Sequence, residues 1–168
     1  MAGQTSYAQN PVIGEPGQLF GTEYHDIVSY VASGTIPFGS VVELSGGKVR
    51  VPQATGSTLT MKGVALQIVA KEQALGAAAS SIATTWVAGD VVPVLRKGRC
   101  FALWNGTTQS DGLAPNVTHS STTGSQGYFT DAATSTTAGS EIAAAPAGVV
   151  LGPVTGQSTF CLVELNLP

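Results

Sequence analysis

The sequence predicts an all-β fold: a small barrel or sandwich with an extended N-terminal arm and a long Thr/Ser/Gly-rich loop region. Two observations lead there. Short runs of Val, Leu and Ile, either alternating with polar residues or continuous, recur along the chain, and most of them end at Gly-containing turns. Glycine and proline, 21 and 9 of the 168 residues, punctuate the intervals and leave little room for helix.

In chain order, residues 2–35 carry Pro11, Gly14, Pro16, Gly17 and Gly21, which break any regular element. Large apolar residues still punctuate them, among them Val12, Ile13, Leu19, Phe20 and Tyr24. A free tail is poorer in such residues. The segment is therefore either a coil packed on its own domain or an arm packed on a neighbouring chain. The predicted division is an arm over residues 1–35 and a β-domain over residues 36–168.

Residues 40–52 predict a hairpin. Val41, Val42 and Leu44 lead into Ser45-Gly46-Gly47, and Val49 and Val51 alternate with Lys48 and Arg50 on the return. Residues 61–70 predict a mostly buried strand, and the Ala-rich stretch 71–85 allows a short helix that Gly76 and Ser80-Ser81 weaken. A second hairpin is predicted over residues 90–104, with its turn at Lys97-Gly98. Residues 105–146 are dense in Thr, Ser, Gly and Ala. Short strands are expected near residues 127–130 and 141–144, with surface loop between. The chain closes with an apolar run at 148–151, a turn at Gly152-Pro153 and a strand at 159–167. On that strand Cys161, Val163, Leu165 and Leu167 share one face.

Charge narrows the function classes. Charged residues are 10% of the chain, against about 25% in an ordinary soluble domain, and the net charge is −3. Phosphate binding needs clustered basic residues, and only Arg96, Lys97 and Arg99 form a group. Nucleic acid is thus not an expected partner. That group is expected at a hairpin tip, either as a solvated turn or as an electrostatic contact with an acidic surface. The N-terminus lacks the pattern of a signal peptide, and no apolar run approaches the roughly 20 residues needed to cross a bilayer. No membrane association and synthesis in a cytoplasm are expected, with the cysteines reduced.

Catalytic constellations are not evident. Cys100 or Cys161 with His25 and Asp26 contains the residue types of a thiol triad, but both cysteines lie in apolar strand patterns, where a thiol is an inert core group. The ten acidic residues are thinly spread, with no motif for paired carboxylates or for a calcium loop. No phosphate-binding or dinucleotide fingerprint occurs. No catalytic residue, cofactor or metal is predicted.

Several short pieces resemble the capsid cement (decoration) proteins of tailed phages: Gly39-Ser40-Val41-Val42 leading into a hairpin, the Gly63-Val64-Ala65 strand, Ala88-Gly89-Asp90-Val91-Val92 with Lys97-Gly98-Arg99, and the closing Ala147-Gly148-Val149-Val150. The resemblance implies a non-enzymatic homo-oligomer, trimer or dimer, that docks on the phage major capsid protein at the outer capsid surface of the virion and stabilises the shell. Contacts with shell or neighbouring subunit are expected from Val12, Ile13, Leu19, Phe20, Tyr24, Arg96, Lys97 and Arg99. The competing class is a tail, fibre or surface adhesin β-domain. It would need exposed aromatics such as Trp86, Trp104 or Tyr128 against a receptor or glycan, and the strand contexts of these residues favour the core instead.

Overall fold

The computed structural model describes residues 14–21, 24–53, 59–67, 84–121, 124–137, 140–153 and 159–168. Among them the strands follow in order as β1 (Asp26–Val31), β2 (Ile36–Pro37), β3 (Val41–Ser45), β4 (Lys48–Arg50), β5 (Met61–Ala65), β6 (Thr85–Trp86), β7 (Val91–Leu103), β8 (Asn116–Ser121), β9 (Phe129–Thr130), β10 (Ser135–Thr137), β11 (Ser140–Ala144), β12 (Val149–Leu151) and β13 (Phe160–Asn166). The described residues contain no α-helix. The predicted all-β class holds.

The sheets are open, so the barrel alternative is not realised as a closed barrel. The largest sheet runs β12-β13-β7-β5-β3-β4, with β1 also on β7. A four-stranded sheet runs β10-β11-β8-β9, and β2 pairs with β6. The large sheet curls until Ala32 forms an isolated parallel bridge to Val49, which brings the end of β1 to β4.

Alternation along β3 and β5 explains why both faces of the sheet are dry. Val41 and Val64 enter one core with Leu95, Cys161, Val163 and Leu165. Val42 and Ala65 enter the other with Ile36, Phe38, Trp86, Val92 and Val94. Each fully buried Val or Leu contributes about 1.5–3 kcal/mol, so the two clusters dominate stability. The closing strand matches its sequence pattern: Cys161, Val163, Leu165 and Leu167 line the first core. Phe160 and Leu162 pack on the opposite side with Phe101.

The predicted second hairpin is instead the single 13-residue strand β7. Lys97-Gly98 does not reverse the chain, because one edge of β7 is paired along its whole length. One half pairs with β1 (Val31↔Val91 to Asp26↔Lys97), and the other with β13 (Asn166↔Lys97 to Phe160↔Leu103). Glycine serves another purpose here. Val92 and Val94 face the second core, whereas Cys100 and Ala102 face the first. The strand changes its inward face between them, and Gly98 takes φ +117° at this switch.

The segment expected to be irregular contains β1, whose alternating burial was hidden behind the Pro- and Gly-rich stretch before it. The sheet thus begins ahead of residue 36. Residues 105–146 hold the short strands expected near Phe129 and Glu141, and they also hold β8 and β10, so part of the stretch expected as loop belongs to a four-stranded sheet. β8 reads Asn-Val-Thr-His-Ser-Ser and buries polar Thr118 and His119 beside Val117, so no apolar alternation announces it. The possible helix at residues 71–85 lies outside the described residues except for its last two, which belong to or adjoin β6.

Candidate functional site

The candidate contact residues fall in two places that the fold brings to β7. The first is the described part of the N-terminal segment. Pro16-Gly17 makes a tight turn in which Gly17, at φ +84°, is buried. Its amide donates to the Phe101 carbonyl at 2.7 Å, and its carbonyl accepts from the Gln67 amide at 3.0 Å. The Phe101 amide donates to the Gln18 carbonyl at 2.9 Å, and the Phe20 amide to the Arg99 carbonyl at 2.9 Å. Residues 17–20 therefore complete the edge of β7 that β5 leaves open. Phe20 packs edge-on against Phe101 at 5.6 Å, and Phe101 in turn against Phe160 at 5.7 Å.

Two glycines make this seat possible. A Cβ on Gly39, which has φ +75°, would stand 2.8 Å from the Gly17 nitrogen and 2.9 Å from Pro16 Cβ. A Cβ on Gly17 would stand 2.7 Å from the Gln67 nitrogen and 3.0 Å from the Gly39 nitrogen. Residues 17–20 thus make these contacts with their own chain. Leu19 bridges Cys100 and stays at the surface, Phe20 is half-buried, and Tyr24 is 81% exposed. Val12 and Ile13 lie outside the described residues.

The second place is the basic group. Arg96, Lys97 and Arg99 stand in the middle of β7 at the junction of β1 and β13, not at a turn. Two of them are matched by cross-strand acids. Arg99 donates from Nε to Glu164 Oε2 at 2.9 Å, directly across the β13–β7 pair, and Arg96 lies 4.0 Å from Asp26. Such half-exposed pairs contribute up to about 1 kcal/mol each, and they neutralise much of the positive field a partner would meet. Lys97 lies between Asp26 and Asn166 in register.

Elsewhere polar chemistry is absorbed by the fold. Cys100 and Cys161 are buried and form no disulfide. Burial raises both thiols far above their ordinary range, and for Cys100 the nearby Cys161 adds to it. A thiol so placed does not ionise to a nucleophile at neutral pH. Buried Glu43 accepts from Arg50 Nε at 2.8 Å and from the Gln53 amide at 3.2 Å. Asp131 ties the segment after β7 to the end of β9, accepting from the Thr107 amide and hydroxyl at 2.9 Å each and from the Thr108 amide at 2.7 Å. In the small sheet His119 Nδ1 lies 3.8 Å from Glu141 Oε2, with both side chains buried. Among the described residues no three His, Cys, Asp or Glu side chains gather as a metal site, and no helix is long and apolar enough to cross a membrane. Trp86 and Trp104 are buried, and Trp86 Nε1 donates to the Leu66 carbonyl at 3.0 Å. Neither tryptophan offers a face to a glycan.

The sequence reading missed the outer face of β1. Ile27 and Val31, with Val91 across from Val31, are exposed apolar residues on one face of the sheet. The alternation in Asp-Ile-Val-Ser-Tyr-Val was the available signal.

The family described as "Structural cement protein (E217 gp24/Pam3 gp6)" matches residues 3–166. The chain belongs to the structural cement protein family. The structural comparison finds a likeness of shape. A chain of the solved structure "The capsid of Myoviridae Phage XM1" superposes with a TM-score of 0.67 at 18% identity, covering 99% of this chain and 98% of that one. At that identity the likeness is one of fold. No curated protein sequence matches the chain.

Proposed function

We propose that this cement protein is a non-enzymatic homo-oligomer, a trimer or else a dimer. It is made in the host bacterium's cytoplasm, docks on the assembled major capsid protein at the outer surface of a tailed-phage head, and reinforces the shell against the pressure of packaged DNA. The observation that carries this reading is the family match over residues 3–166. The chemistry supports it. Cementing needs broad complementarity and no reactive group, and a surface built from small polar side chains supplies contact without a large charge to desolvate. The N-terminal segment with Val12, Ile13, Leu19, Phe20 and Tyr24, and the group Arg96, Lys97 and Arg99, remain the proposed contacts with shell or neighbouring subunit. Among the described residues of the N-terminal segment ahead of β1, the exposed large apolar side chains are Leu19 and Tyr24.

The test is co-sedimentation of the purified protein with empty phage shells and, separately, with host cells. Saturable binding to shells alone is the expected result, with sedimentation on cells alone the result that overturns it. The oligomeric state follows from a capsid reconstruction, where isolated copies at unrelated positions would contradict the homo-oligomer.

A further inference from the structure

On the outer face of β1 and the start of β7 the residues of one stripe, Ile27, Ser29, Val31, Val91 and Pro93, are uncharged. Register places Val31 opposite Val91, Ser29 opposite Pro93 and Ile27 opposite Leu95, so these residues share one face of the sheet. Farther along that face Leu95 is wholly buried in the first core. On the β1 side the cover stops: Ile27 is 42% exposed, Val31 38% and Val91 60%. Val87, 51% exposed, sits in the turn that leads into β7, where its amide donates to Asp90 Oδ2 at 2.7 Å and the Gly89 amide donates to the Ala32 carbonyl at 2.9 Å. No Asp, Glu, Lys or Arg lies between Ile27 and Val31, and the charges flanking the stripe are Asp90, held by the Val87 amide at 2.7 Å, Lys97, in register with Asp26, and Arg96, 4.0 Å from Asp26. Edge strands in soluble proteins are ordinarily guarded by lysine, proline or an inward charge. On β1 the outward positions are Ile, Ser and Val.

We propose that this stripe is the surface with which the protein grips the shell, and that its occupant is an uncharged, apolar segment of the major capsid protein. The inference rests on the capsid-docking reading above and assigns a face to it. Area argues for the shell over a second copy. Three aliphatic side chains of the stripe and Val87 leave on the order of 300 Å² of apolar surface to be covered. A stable pair of proteins needs roughly 800 Å² from each partner, so two copies meeting at this stripe alone make too small a contact to persist in solution. A shell, by contrast, presents the same segment many times, and an oligomer that engages several at once holds through weak individual contacts. The absence of charge fits as well. An ionic contact would weaken in salt, whereas an apolar stripe keeps its grip.

The experiment substitutes Val91→Asp in the full chain, with Leu113→Asp as a control at an exposed apolar residue away from the stripe, 39% exposed. Melting temperature, solution oligomer by light scattering, and co-sedimentation with empty shells are measured for each. The expected result is a folded Val91→Asp protein with unchanged oligomeric state and at least tenfold weaker shell binding, beside a Leu113→Asp protein that binds as wild type. Equal binding by Val91→Asp overturns the proposal, and so does a variant that falls to monomers where the wild type is an oligomer, since the stripe then belongs to a second copy. Should Val91→Asp fail to fold, Val87→Asp and the near-isosteric Val91→Thr carry the same test: shell binding kept in both refutes it, and binding weakened in both supports it. A wild type that does not bind shells at all refutes the docking reading itself, whatever the variants do.

Discussion

Replacing Gly39 by alanine tests whether the N-terminal segment is seated on its own chain. The added methyl would stand 2.8 Å from the Gly17 nitrogen, 2.9 Å from Pro16 Cβ and 3.0 Å from Pro16 Cα. Two costs follow. Holding an alanine at φ +75° costs about 1–2 kcal/mol. Forcing Pro16-Gly17 away adds the penalty of overpacking, about 1–3 kcal/mol, because the move stretches the 2.7 Å bond from Gly17 to Phe101 and the 3.0 Å bond from Gln67 to Gly17. The total of about 2–5 kcal/mol corresponds to a melting temperature lower by about 5–15 °C for a chain of this size. Gly46→Ala separates the two costs. Gly46 has φ +58° but nothing within 4 Å of an added Cβ, so only the backbone strain applies. The two variants should therefore differ by about 1–3 kcal/mol in a denaturant titration. Deleting residues 2–20 should itself lower stability, and in the shortened chain the difference should vanish, since the partner of the methyl is gone. If Gly39→Ala and Gly46→Ala cost the same within about 0.5 kcal/mol, Pro16-Gly17 does not rest on Gly39 in solution, and the segment is free to lie on another chain.

Further outcomes follow from the same geometry. Burial would raise the Asp131 carboxyl, but the hydrogen bonds from Thr107 and Thr108 outweigh it and hold its pKa below the ordinary value. A group lowered in the folded state stabilises above its unfolded pKa of about 4 and loses that contribution as pH falls through the folded value. Asp131→Asn should cost roughly 1 kcal/mol at neutral pH, a figure reduced for solvent exposure, and should flatten the loss of stability on acidification below about pH 4. An unchanged acid profile would count against the clasp. Cys100 and Cys161 should resist a thiol reagent until the protein unfolds. Replacing both by alanine should spare shell binding while lowering the melting temperature, and a hydrolytic activity lost on alkylation would reverse the structural reading. Arg99→Ala should change stability by less than about 1 kcal/mol, because the Glu164 pair is half-exposed. Circular dichroism of the isolated protein should be β-type, and a spectrum dominated by helix would contradict the fold.

Local pattern and tertiary context divided the determination of this protein unevenly. Residue alternation and turn glycines were sufficient for some strands. The β3–β4 hairpin follows from Val41-Val42 and Val49 flanking Gly46-Gly47. The faces of β13 follow from Cys161, Val163 and Leu165 alternating with Phe160 and Leu162. The apolar setting of both cysteines already marked them as core. The same local reading failed at Lys97-Gly98, where a glycine looks alike in a turn and in a strand that changes its inward face. Only the presence of β1 and β13 along β7 decides which it is. It failed again at Asn116–Ser121, where Thr118 and His119 are buried by partners distant in sequence. The placement of Arg96 and Arg99 beside Asp26 and Glu164, the seat of Gly17 against Gly39, and the bare stripe of Ile27, Val31 and Val91 are likewise contacts between residues far apart in the chain. A period of two says that one face of a strand is apolar. It does not say whether the fold has anything left to cover that face, and on β1 the fold leaves it open.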